Sequence, residues 1–571
     1  MTALLTKDLP LLAGAPNGIK KLRELILELA VRGKLVPQDP NDEPASELLK
    51  RIAEEKARLV AEGRIKKKKP LTEIDEEAQP FELPAGWKWS SLAQVAFVNP
   101  RNTAADSLEV SFVPMTLIGT RFDDQHAQEP RLWGEVKQGF THFAEGDIGV
   151  AKITPCFENS KACVFSNLVN GLGAGTTELH VVRPVTESLD PRYVLAYLKS
   201  PQFLLVGVTK MTGTAGQKRL PKDFVEANPF PLPPLAEQHR IVAKVDELMV
   251  LCDRLEAQQA DAESAHAQLV QALLGSLTQA ADAEDFAASW QRLAEHFHTL
   301  FTTESSIDAL KQTLLQLAVM GKLVPQESSD EPASELLKRI AEEKGQLVNE
   351  GKIRKQKPLG EISKEEKPYE LPAAWAWTRL GSQVLESGAG WSPSCEARPR
   401  DGDEWGVLKV SAVSWGIYRP EENKALPPNL EARPEHEVAK GDFLVSRANT
   451  AELVARSVVA EETPKRLMLS DKIVRLKLTS MCSRRYMNLA NSAPLARRYY
   501  SQVAGGTSSS MKNVSREQIL NLPIALPPLA EQHRIVAKVD SLVAICDTLK
   551  RQINAATEKQ IALLNAFMAK I

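Results

Sequence analysis

The sequence predicts a mixed α/β (α+β) fold with two globular domains joined by long antiparallel coiled-coil helices. The first observation is a string of fifteen residues, LPPLAEQHRIVAKVD, which occupies 232–246 and returns unchanged at 526–540. The second is a longer tract, 18–92, which recurs with small changes at 306–380. Chance does not repeat fifteen residues in one chain of 571, so we interpret the order as an internal tandem duplication with pseudo-two-fold symmetry.

The segments between the repeated tracts differ from each other in sequence, and each is long enough to bury its own core. Patterns such as ELHVVRP and KGDFLVSR indicate strands, and DPRYVLAYLKS indicates a short helix, so each segment is a mixed domain. The arrangement predicts five regions: an N-terminal helical shared region at 1–92, a first variable domain at 93–231, a central shared helical region at 232–380, a second variable domain at 381–525, and a C-terminal helix at 526–571 that pairs with the central helix.

Both copies of the fifteen-residue string begin long predicted helices. Pro233 and Pro234 suit a helix start, where a missing N–H costs nothing, and Glu237 then lies in the favourable first turn. Apolar residues follow at steps of four and three, the spacing of a coiled-coil seam. The seam residues are Ile241, Val245, Leu248, Cys252 and Leu255 in the first helix, and Ile535, Val539, Leu542, Cys546, Leu549 and Ile553 in the second. Two matching seams favour packing of the two helices along one another, and the alternative is an ordinary amphipathic helix on a globular core.

The composition restricts any nucleic-acid surface to a local patch. The 71 basic and 73 acidic side chains leave a formal net charge of −2, so no overall basic character indicates a polyanionic partner. The six cysteines include no CxxC pair, which favours free thiols in a reducing, cytoplasmic environment over disulfides or a zinc site. No apolar run approaches the length of a membrane span, and no membrane partner is expected.

The sequence offers no motif for catalysis. It contains no G-x-x-x-x-G-K-[ST] phosphate-binding loop, so ATP hydrolysis by this chain is not expected. NPFPLPP at 228–234 departs from the N-P-P-[FY] pattern of adenine methyltransferases, because Phe230 stands where the second proline belongs, and we interpret it as the exit of a domain. No cluster of histidines and carboxylates indicates a metal site. We therefore predict no catalytic residue, no metal ligand and no cofactor in this chain.

One pair of aligned stretches in the variable domains suits contact with DNA. AEGDIGVAKITPC in the first domain aligns with AKGDFLVSRANTA in the second. The alignment places Lys152 opposite Arg447 and Thr154 opposite Asn449. A basic residue suits phosphate or guanine, and a short polar side chain after it suits the reading of a groove. The alternative is a solvated strand end.

A glycine-containing loop further along each domain supplies the other predicted DNA contacts. In TGTAGQKRLPK these are Lys218, Arg219 and Lys222, because glycines let the backbone approach phosphate closely and the cations offset its charge. The second domain keeps Lys512 and Arg516 as the corresponding cations. The alternative is a flexible surface turn.

These residues and their order resemble the specificity (S) subunits of type I restriction–modification enzymes. The resemblance is carried by PLPPLAEQHRIVAKVDEL preceded by GTAGQKRLPKDF, by ELAVRGKLVPQDPNDEPAS, and by the twice-repeated order of shared and variable regions. It covers essentially the whole chain. The second domain departs from the pattern in its loop, GGTSSSMKNVS, where Asn513 replaces Arg219.

The resemblance implies that the two variable domains are target recognition domains and that the chain itself is not an enzyme. It also implies binding to double-stranded DNA, to two methyltransferase (M) subunits and to two ATP-dependent restriction (R) subunits. S-adenosylmethionine, ATP and Mg²⁺ are then expected on the partner subunits. Glu237, Gln238, Glu531 and Gln532, at the starts of the two long helices, are expected to form helix caps or subunit contacts.

The implied function is recognition of a bipartite, asymmetric DNA target in which an unread spacer separates two short sequences. Partner subunits would methylate adenine in each half and, at an unmodified site, restrict the DNA with ATP. A helix of about 40 residues spans roughly 60 Å, against roughly 34–36 Å for one turn of B-DNA, so we hypothesise that the long helices set the spacer. Two alternatives stay open: an autonomous DNA methyltransferase or nuclease with unrecognised motifs, and a protein-only scaffold with two binding domains.

Overall fold

The chain forms two compact units, Met1–Glu263 with Ala556–Ile571 (unit 1) and Ser264–Ala555 (unit 2). The computed structural model describes residues 13–65, 74, 77, 79–185, 188–214, 216–281, 283–506, 508 and 511–569.

Unit 1 contains the first shared tract and the first variable domain. Its described α-helices are α1 Gly18–Val31, α2 Ala45–Ala61, α3 Leu92–Val95, α4 Trp133–Val136, α5 Pro191–Leu198, α6 Pro201–Lys210, α7 Lys222–Ala227 and the first part of α8 Leu235–Gln279. Its described strands are β1 Lys88–Ser91, β2 Ala96–Val98, β3 Glu109–Val113, β4 Glu129–Leu132, β5 Thr141–Ala144, β6 Ile148–Ala151, β7 Ala162–Val164, β8 Leu172–Gly175, β9 Leu179–Pro184 and β10 Pro229–Leu232. They form two four-stranded sheets, in the orders β2-β9-β6-β7 and β4-β3-β8-β5, and the pair β1-β10.

Unit 2 contains the second copy of the same architecture. Its described α-helices are the last part of α8, α9 Ala283–Glu295, α10 Phe297–Leu300, α11 Glu304–Val319, α12 Ala333–Asn349, α13 Ser411–Ser414, α14 Arg484–Ser492, α15 Pro494–Val503, α16 Arg516–Leu520 and the first part of α17 Leu529–Ala569. The part of α17 from Ala556 onwards belongs to unit 1. Its described strands are β11 Ala376–Arg379, β12 Val384–Ala389, β13 Gly406–Leu408, β14 Asn423–Ala425, β15 Phe443–Ser446, β16 Ala448–Asn449, β17 Ser457–Val459, β18 Leu467–Met468, β19 Ile473–Leu478, β20 Lys512–Asn513 and β21 Pro523–Leu526. The sheets have the orders β12-β19-β15-β17 and β14-β13-β18, with the pairs β11-β21 and β16-β20.

Each variable domain contains one four-stranded sheet with an equivalent strand order, although the sequences of the two domains have diverged. The sheet β2-β9-β6-β7 and its counterpart β12-β19-β15-β17 are antiparallel throughout. In each unit a second sheet contains one parallel pair, β3 with β8 and β13 with β18. The mixed fold and the internal duplication predicted from the repeats are therefore confirmed.

The segments predicted to be strands and a short helix fold as expected. ELHVVRP contains β9, and DPRYVLAYLKS contains α5. NPFPLPP contains β10, which pairs with β1 so that Lys88 lies opposite Leu232. The chain thus leaves the first variable domain beside the strand through which it enters, as expected of a domain exit. The strands β11 and β21 repeat this pairing in unit 2.

A glycine ends the first helix of each shared tract. Gly33 follows α1 with a φ of 66°, and the Lys34 amide donates to the Leu29 carbonyl at 2.9 Å. A Cβ at Gly33 would lie 2.4 Å from Cγ of Pro84, so both the backbone angle and the available space require glycine. Gly321 repeats this role in unit 2 with a φ of 73°.

The predicted seam of α8 is buried, and its first part has a partner that was not predicted. Ile241, Val245 and Cys252 lie in a core of unit 1 that also contains Leu22 and Leu25 of α1. Within this core the first part of the seam packs against the first shared helix, α1. An apolar stripe at coiled-coil spacing shows that a helix has a partner but does not identify it, and α1 lies in the same unit.

The seam of α17 packs on two helices within unit 2. Cys546 and the partly buried Leu542 and Leu549 share a core with Leu314 of α11 and Leu274 of α8. The last turns of the central helix therefore lie in the same core as the C-terminal helix, and α11 is an additional partner that the sequence did not indicate.

The described part of the chain offers neither a membrane span nor a metal site. Within those ranges, no helix combines the length and the apolar character needed to span a lipid bilayer. The same residues hold no group of three or more His, Cys, Asp or Glu side chains that could bind a metal ion. All six cysteines are free thiols.

Alkylation should separate the buried thiols from the accessible ones. Burial raises the pKa of Cys163 and Cys482 to about 12, and the thiolate is the form that alkylating reagents attack. Both thiols therefore stay protonated and shielded at mildly alkaline pH, whereas Cys156 is partly exposed. Iodoacetamide labelling followed by peptide mass spectrometry should modify Cys156 in the native chain and all six cysteines in urea, with Cys156→Ser as the control. Equal labelling of Cys163 and Cys156 in the native chain would contradict this core.

Candidate nucleic-acid interface

The two predicted contact stretches of the first variable domain pair with each other just after β6. Ile153 and Arg219 form an antiparallel bridge. Next to it, the Leu220 amide donates to the Lys152 carbonyl at 2.7 Å. Leu220 is buried and anchors the second stretch to the core. Side chains that are more than sixty positions apart in the sequence therefore share one edge of the domain.

The glycine-containing loop is held at both of its ends. Thr212 and Arg219 exchange two backbone hydrogen bonds, of 3.0 and 2.8 Å. The Thr154 amide donates to the Lys218 carbonyl at 3.0 Å, and the Lys218 amide donates to Oγ1 of Thr154 at 3.1 Å. These bonds fix the path of the loop at its ends. The Thr154 hydroxyl also has a structural role here, since it accepts a backbone amide.

Two of the predicted cations of this edge have carboxylate partners. The Nε and Nη2 atoms of Arg219 donate to the two carboxylate oxygens of Glu178 at 3.0 and 2.8 Å. These hydrogen bonds hold the pKa of Glu178 below its usual value. The Lys222 ammonium lies 3.1 Å from a carboxylate oxygen of Glu226. Both pairs are on the surface, where an ion pair contributes little to stability.

Lys152 and Lys218 differ from Arg219 and Lys222 in having no carboxylate at ion-pair distance among the described residues. Neither lysine forms an ion pair with any residue that the structure describes. Burial lowers the pKa of His180, and the charges of Lys152 and Lys222 lower it further. Lys152 and Lys222 therefore lie close to the same imidazole, and the predicted cations of the first domain converge.

The second variable domain builds the same edge from the equivalent residues. Asn449 of β16 lies opposite Lys512 of β20, and the Val514 amide donates to the Arg447 carbonyl at 2.9 Å. This bond corresponds to the one between the Leu220 amide and Lys152 in unit 1. The structure therefore brings Arg447, Asn449 and Lys512 together, as it does their counterparts.

The polar side chains of the second edge use only part of their hydrogen-bonding capacity. Asn449 donates from Nδ2 to Oγ of Ser414 at 2.8 Å, and Lys512 donates to the Gly506 carbonyl at 2.6 Å. Arg516, the first residue of α16, donates to a backbone carbonyl of β12 at 3.2 Å. A lysine has three N–H donors and an arginine five, so donors remain for an external acceptor.

One equivalent pair at this edge, Glu178 and Lys472, is absent from the residues predicted from the sequence. The Glu178 carbonyl accepts the Lys152 amide at 2.9 Å, and the Lys472 carbonyl accepts the Arg447 amide at 2.8 Å. The two residues thus occupy the same backbone position with opposite charge. They are 294 positions apart, the same offset as the repeated fifteen-residue string, so extending that alignment would have found them.

An exposed apolar pair beside Asn449 was not predicted either. Ser414, which accepts the Asn449 amide, is followed by Trp415 and Ile417, which are 56% and 67% exposed. Such side chains are common in cores, and nothing in the letters SWGIY indicates that these two lie on the surface.

Each long helix begins with a buried carboxylate that two side chains of its own unit hold. Glu237 accepts hydrogen bonds from Nε1 of Trp87 at 2.9 Å and from Nε2 of Gln38 at 3.1 Å. Glu531 accepts from Nε1 of Trp375 at 2.9 Å and from a glutamine of the second shared tract at 2.7 Å. Burial raises the pKa of both carboxyls, and these donors compensate part of that cost.

The neighbouring glutamines join the long helices to the variable domains. Oε1 of Gln238 accepts the Asp190 amide at 2.9 Å, and Oε1 of Gln532 accepts the Ser483 amide at 2.8 Å. The two glutamates and the two glutamines are at most 1% exposed. Of the two roles expected for Glu237, Gln238, Glu531 and Gln532, helix caps or subunit contacts, the burial of all four by contacts within the chain favours the first.

The duplicated frame and its two non-identical cationic edges define a binding protein with two related but different domains. Residues 438–559 match a family model described as "Type I restriction modification DNA specificity domain". The chain is 53% identical over 552 residues to the type I restriction enzyme EcoEI specificity subunit of Escherichia coli, a match that covers 96% of this chain and 93% of that protein. It is 49% identical over 565 residues to the type I restriction enzyme EcoAI specificity subunit of Escherichia coli, with the same two coverages, 96% and 93%.

The chain therefore belongs to the family of type I restriction enzyme specificity subunits. A solved structure described as "Structural basis underlying complex assembly and conformational transition of the type I R-M system" contains a chain with the same fold. The two chains are 19% identical, with a TM-score of 0.52 over 86% of this chain and 98% of the other. The family resemblance inferred from the repeated motifs is confirmed.

Removal of the indole donor should destabilise the start of α8. Trp87→Phe leaves Glu237 with one hydrogen bond fewer in a buried site, which costs about 1–3 kcal/mol. Trp89→Phe is the matched control, because the buried Nε1 of Trp89 has no partner among the described residues and both variants lose the same ring volume. Urea unfolding followed by far-ultraviolet circular dichroism should give a lower midpoint for Trp87→Phe than for Trp89→Phe. Equal midpoints would show that the Trp87–Glu237 bond does not stabilise the chain.

Proposed function

We propose that the chain is the sequence-reading subunit of a type I restriction–modification complex and that residues 93–231 and 381–525 are its two target recognition domains. It binds double-stranded DNA and reads a bipartite, asymmetric target with an unread spacer. The subunit itself is not an enzyme. Adenine methylation and ATP-dependent restriction belong to partner subunits that it directs to the target.

The observation that carries this proposal is the repetition of one backbone edge with different side chains. Lys152, Thr154 and Lys218 in unit 1 correspond to Arg447, Asn449 and Lys512 in unit 2, on the same pattern of backbone hydrogen bonds. Because the two domains have the same backbone arrangement and both carry positive charge, they suit the same class of ligand. Because their side chains differ, they suit two different base sequences within it. A bipartite, asymmetric DNA target has these properties.

The local charge also supports DNA as the ligand. The whole chain is slightly acidic, with a formal net charge of −2, yet Lys152 and Lys218 have no ion-pair partner in the described part of unit 1. In unit 2, the exposed Lys472 adds positive charge next to Arg447. Cations placed in this way neutralise phosphates and release counterions, which is the main source of affinity in many DNA complexes.

The strand pairs at the domain borders support the proposed boundaries. β1 and β10 are antiparallel neighbours at the two ends of 93–231, and β11 and β21 are neighbours at the two ends of 381–525. Each variable segment therefore starts and finishes at one place on its shared tract. A segment with adjacent ends can fold as a self-contained domain.

The same proposal assigns the partners and their cofactors. Two methyltransferase subunits would bring S-adenosylmethionine, and two restriction subunits would bring ATP and Mg²⁺, in the cytoplasm where the DNA target lies. Since Glu237, Gln238 and their repeats are buried, the contacts with these partners fall on other, exposed residues of the shared tracts.

Selection from a random duplex pool tests the proposed function. The full chain, purified together with its methyltransferase subunits, should enrich one sequence with two specified parts and a fixed gap. Sequencing of methylated bases in cells that express the complex should then show adenine methylation in both parts. A chain that enriches no sequence would instead be a protein scaffold. Methyl transfer by the chain alone would make it an enzyme.

Substitution of the lysines without ion-pair partners should weaken binding to all duplexes alike. Lys218→Ala and Lys152→Ala each remove a charge expected to lie near phosphate, and the slope of log K against log salt concentration should fall by about 0.9 for each phosphate that is no longer neutralised. Lys338→Ala is the control, because Lys338 is an exposed lysine of α12 paired with Glu335 at 2.8 Å. Fluorescence anisotropy at several salt concentrations gives both the affinity for each duplex and the slope of log K against log salt concentration. Slopes equal to that of the unsubstituted chain would place these lysines outside the interface.

A further inference from the structure

Positions 219 and 513 have equivalent backbone hydrogen bonds in the two variable domains. Arg219 exchanges two backbone hydrogen bonds with Thr212, of 3.0 and 2.8 Å, and Asn513 exchanges two with Gly505, both of 2.9 Å. On its other side, Arg219 forms an antiparallel bridge with Ile153, and Asn513 is paired with the equivalent strand β16. Each residue is thus the centre of a short three-stranded arrangement, and only its side chain differs.

The side chains at these positions change together with the residue beside them. Where unit 1 has Arg219 and Glu178, unit 2 has Asn513 and Lys472. The change replaces a neutral ion pair by a polar amide and a cation. Because an exposed ion pair adds little to stability, the fold does not require Arg219 and Glu178 to be kept together.

From this correlated exchange we infer that positions 219 and 513 determine base specificity: Arg219 reads a guanine and Asn513 reads an adenine. The inference rests on the proposed function and names the residues that carry it. It makes Glu178 a positioning residue for Arg219.

The geometry of Arg219 leaves an edge of two donors directed away from Glu178. Nε and Nη2 are bound side-on by Glu178 at 3.0 and 2.8 Å, which fixes the plane of the guanidinium. The outer edge, formed by Nη1 and the second hydrogen of Nη2, points away from the carboxylate. Nη1 donates to the Gln217 carbonyl at a long distance of 3.5 Å, a weak bond that a base could replace. Two parallel donors of this kind match O6 and N7 of guanine in the major groove. The Arg219 side chain is 46% exposed and can therefore be approached.

Asn513 presents the group that suits adenine. Its side chain is exposed and forms no hydrogen bond within the described residues. A carboxamide has one donor and one acceptor side by side, which match N7 and the N6 amino group of adenine. Lys472 at the neighbouring position supplies a cation for phosphate in place of the carboxylate that holds Arg219.

The competing role for Arg219 is a contact with a DNA phosphate. The negative charge of Glu178 beside Arg219 disfavours that role. Glu178 offsets the guanidinium charge, and a carboxylate next to a phosphate is repulsive. Lys218, the preceding residue, has no ion-pair partner in the described chain. In this loop, Lys218 is therefore the cation suited to a DNA phosphate, and Arg219 is the cation held in a fixed orientation.

The experiment is duplex selection with Arg219→Ala and Asn513→Ala in the full chain with its methyltransferase subunits, followed by affinities on single-base variants of the selected target. Arg219→Ala should lose a preference for guanine at one base pair of one half, by on the order of tenfold to a hundredfold. Asn513→Ala should lose a preference for adenine at one base pair of the other half. All other positions should keep their preferences.

Lys218→Ala is the matched control in the same loop. It should weaken every duplex equally, with a lower salt slope and an unchanged selected sequence. If Arg219→Ala behaves in this way, Arg219 contacts phosphate and the inference is overturned. It is also overturned if Arg219→Ala or Asn513→Ala selects the original sequence with the original preferences.

A double exchange tests the assignment of the bases. Arg219→Asn with Glu178→Lys transplants the second pair into the first domain, and should change the selected base from guanine to adenine at the affected position. A double variant that still selects guanine would contradict the inference. If the unsubstituted chain enriches no sequence, the proposed function itself fails, and that result is distinct from any outcome of the variants.

Discussion

A buried glutamate at the start of each long helix joins separate parts of the shared frame. Glu237 lies in a desolvated site at the start of α8, where an ionised side chain is stable only if donors surround it. Trp87 and Gln38, from two separate parts of the shared tract, supply those donors. One residue further on, Gln238 accepts the Asp190 amide of the variable domain. A single helical turn therefore connects the long helix, the shared tract and the variable domain.

This network explains why Glu237 and Gln238 recur unchanged as Glu531 and Gln532. Replacement of any one partner would leave a buried polar group without its hydrogen bond, and such a group costs more than the bond contributes. The donors Trp87 and Gln38 recur as Trp375 and Gln326, and they bind Glu531 in the same way. The surface of the variable domains is under no such constraint, and there Glu178 and Lys472 carry opposite charges on equivalent backbone positions.

Much of the fold and part of the site could be predicted from the sequence, because the information was local or repeated. Identical strings revealed the duplication, and alignment of the two variable domains found the residues that meet at each edge, such as Lys152 and Lys218. The role of Glu237 could not be predicted, since its indole donor lies 150 positions away and a glutamate in a first helical turn is usually solvated. Nor could the partner of the α8 seam, because the apolar period shows that a face is buried but not which helix covers it.

The antiparallel pairs β1-β10 and β11-β21 have a consequence for how such proteins change. Each variable domain is attached through two neighbouring strands, and on its C-terminal side it is followed at once by the same fifteen letters. A foreign domain could therefore be joined at the same two strands, provided that it supplies side chains such as Tyr193 and Phe203, which share a core with α1 and α8. Genetic exchange within the repeated tracts that flank a variable domain would then give a new combination of two variable domains in one event. The shared tracts would stay the same.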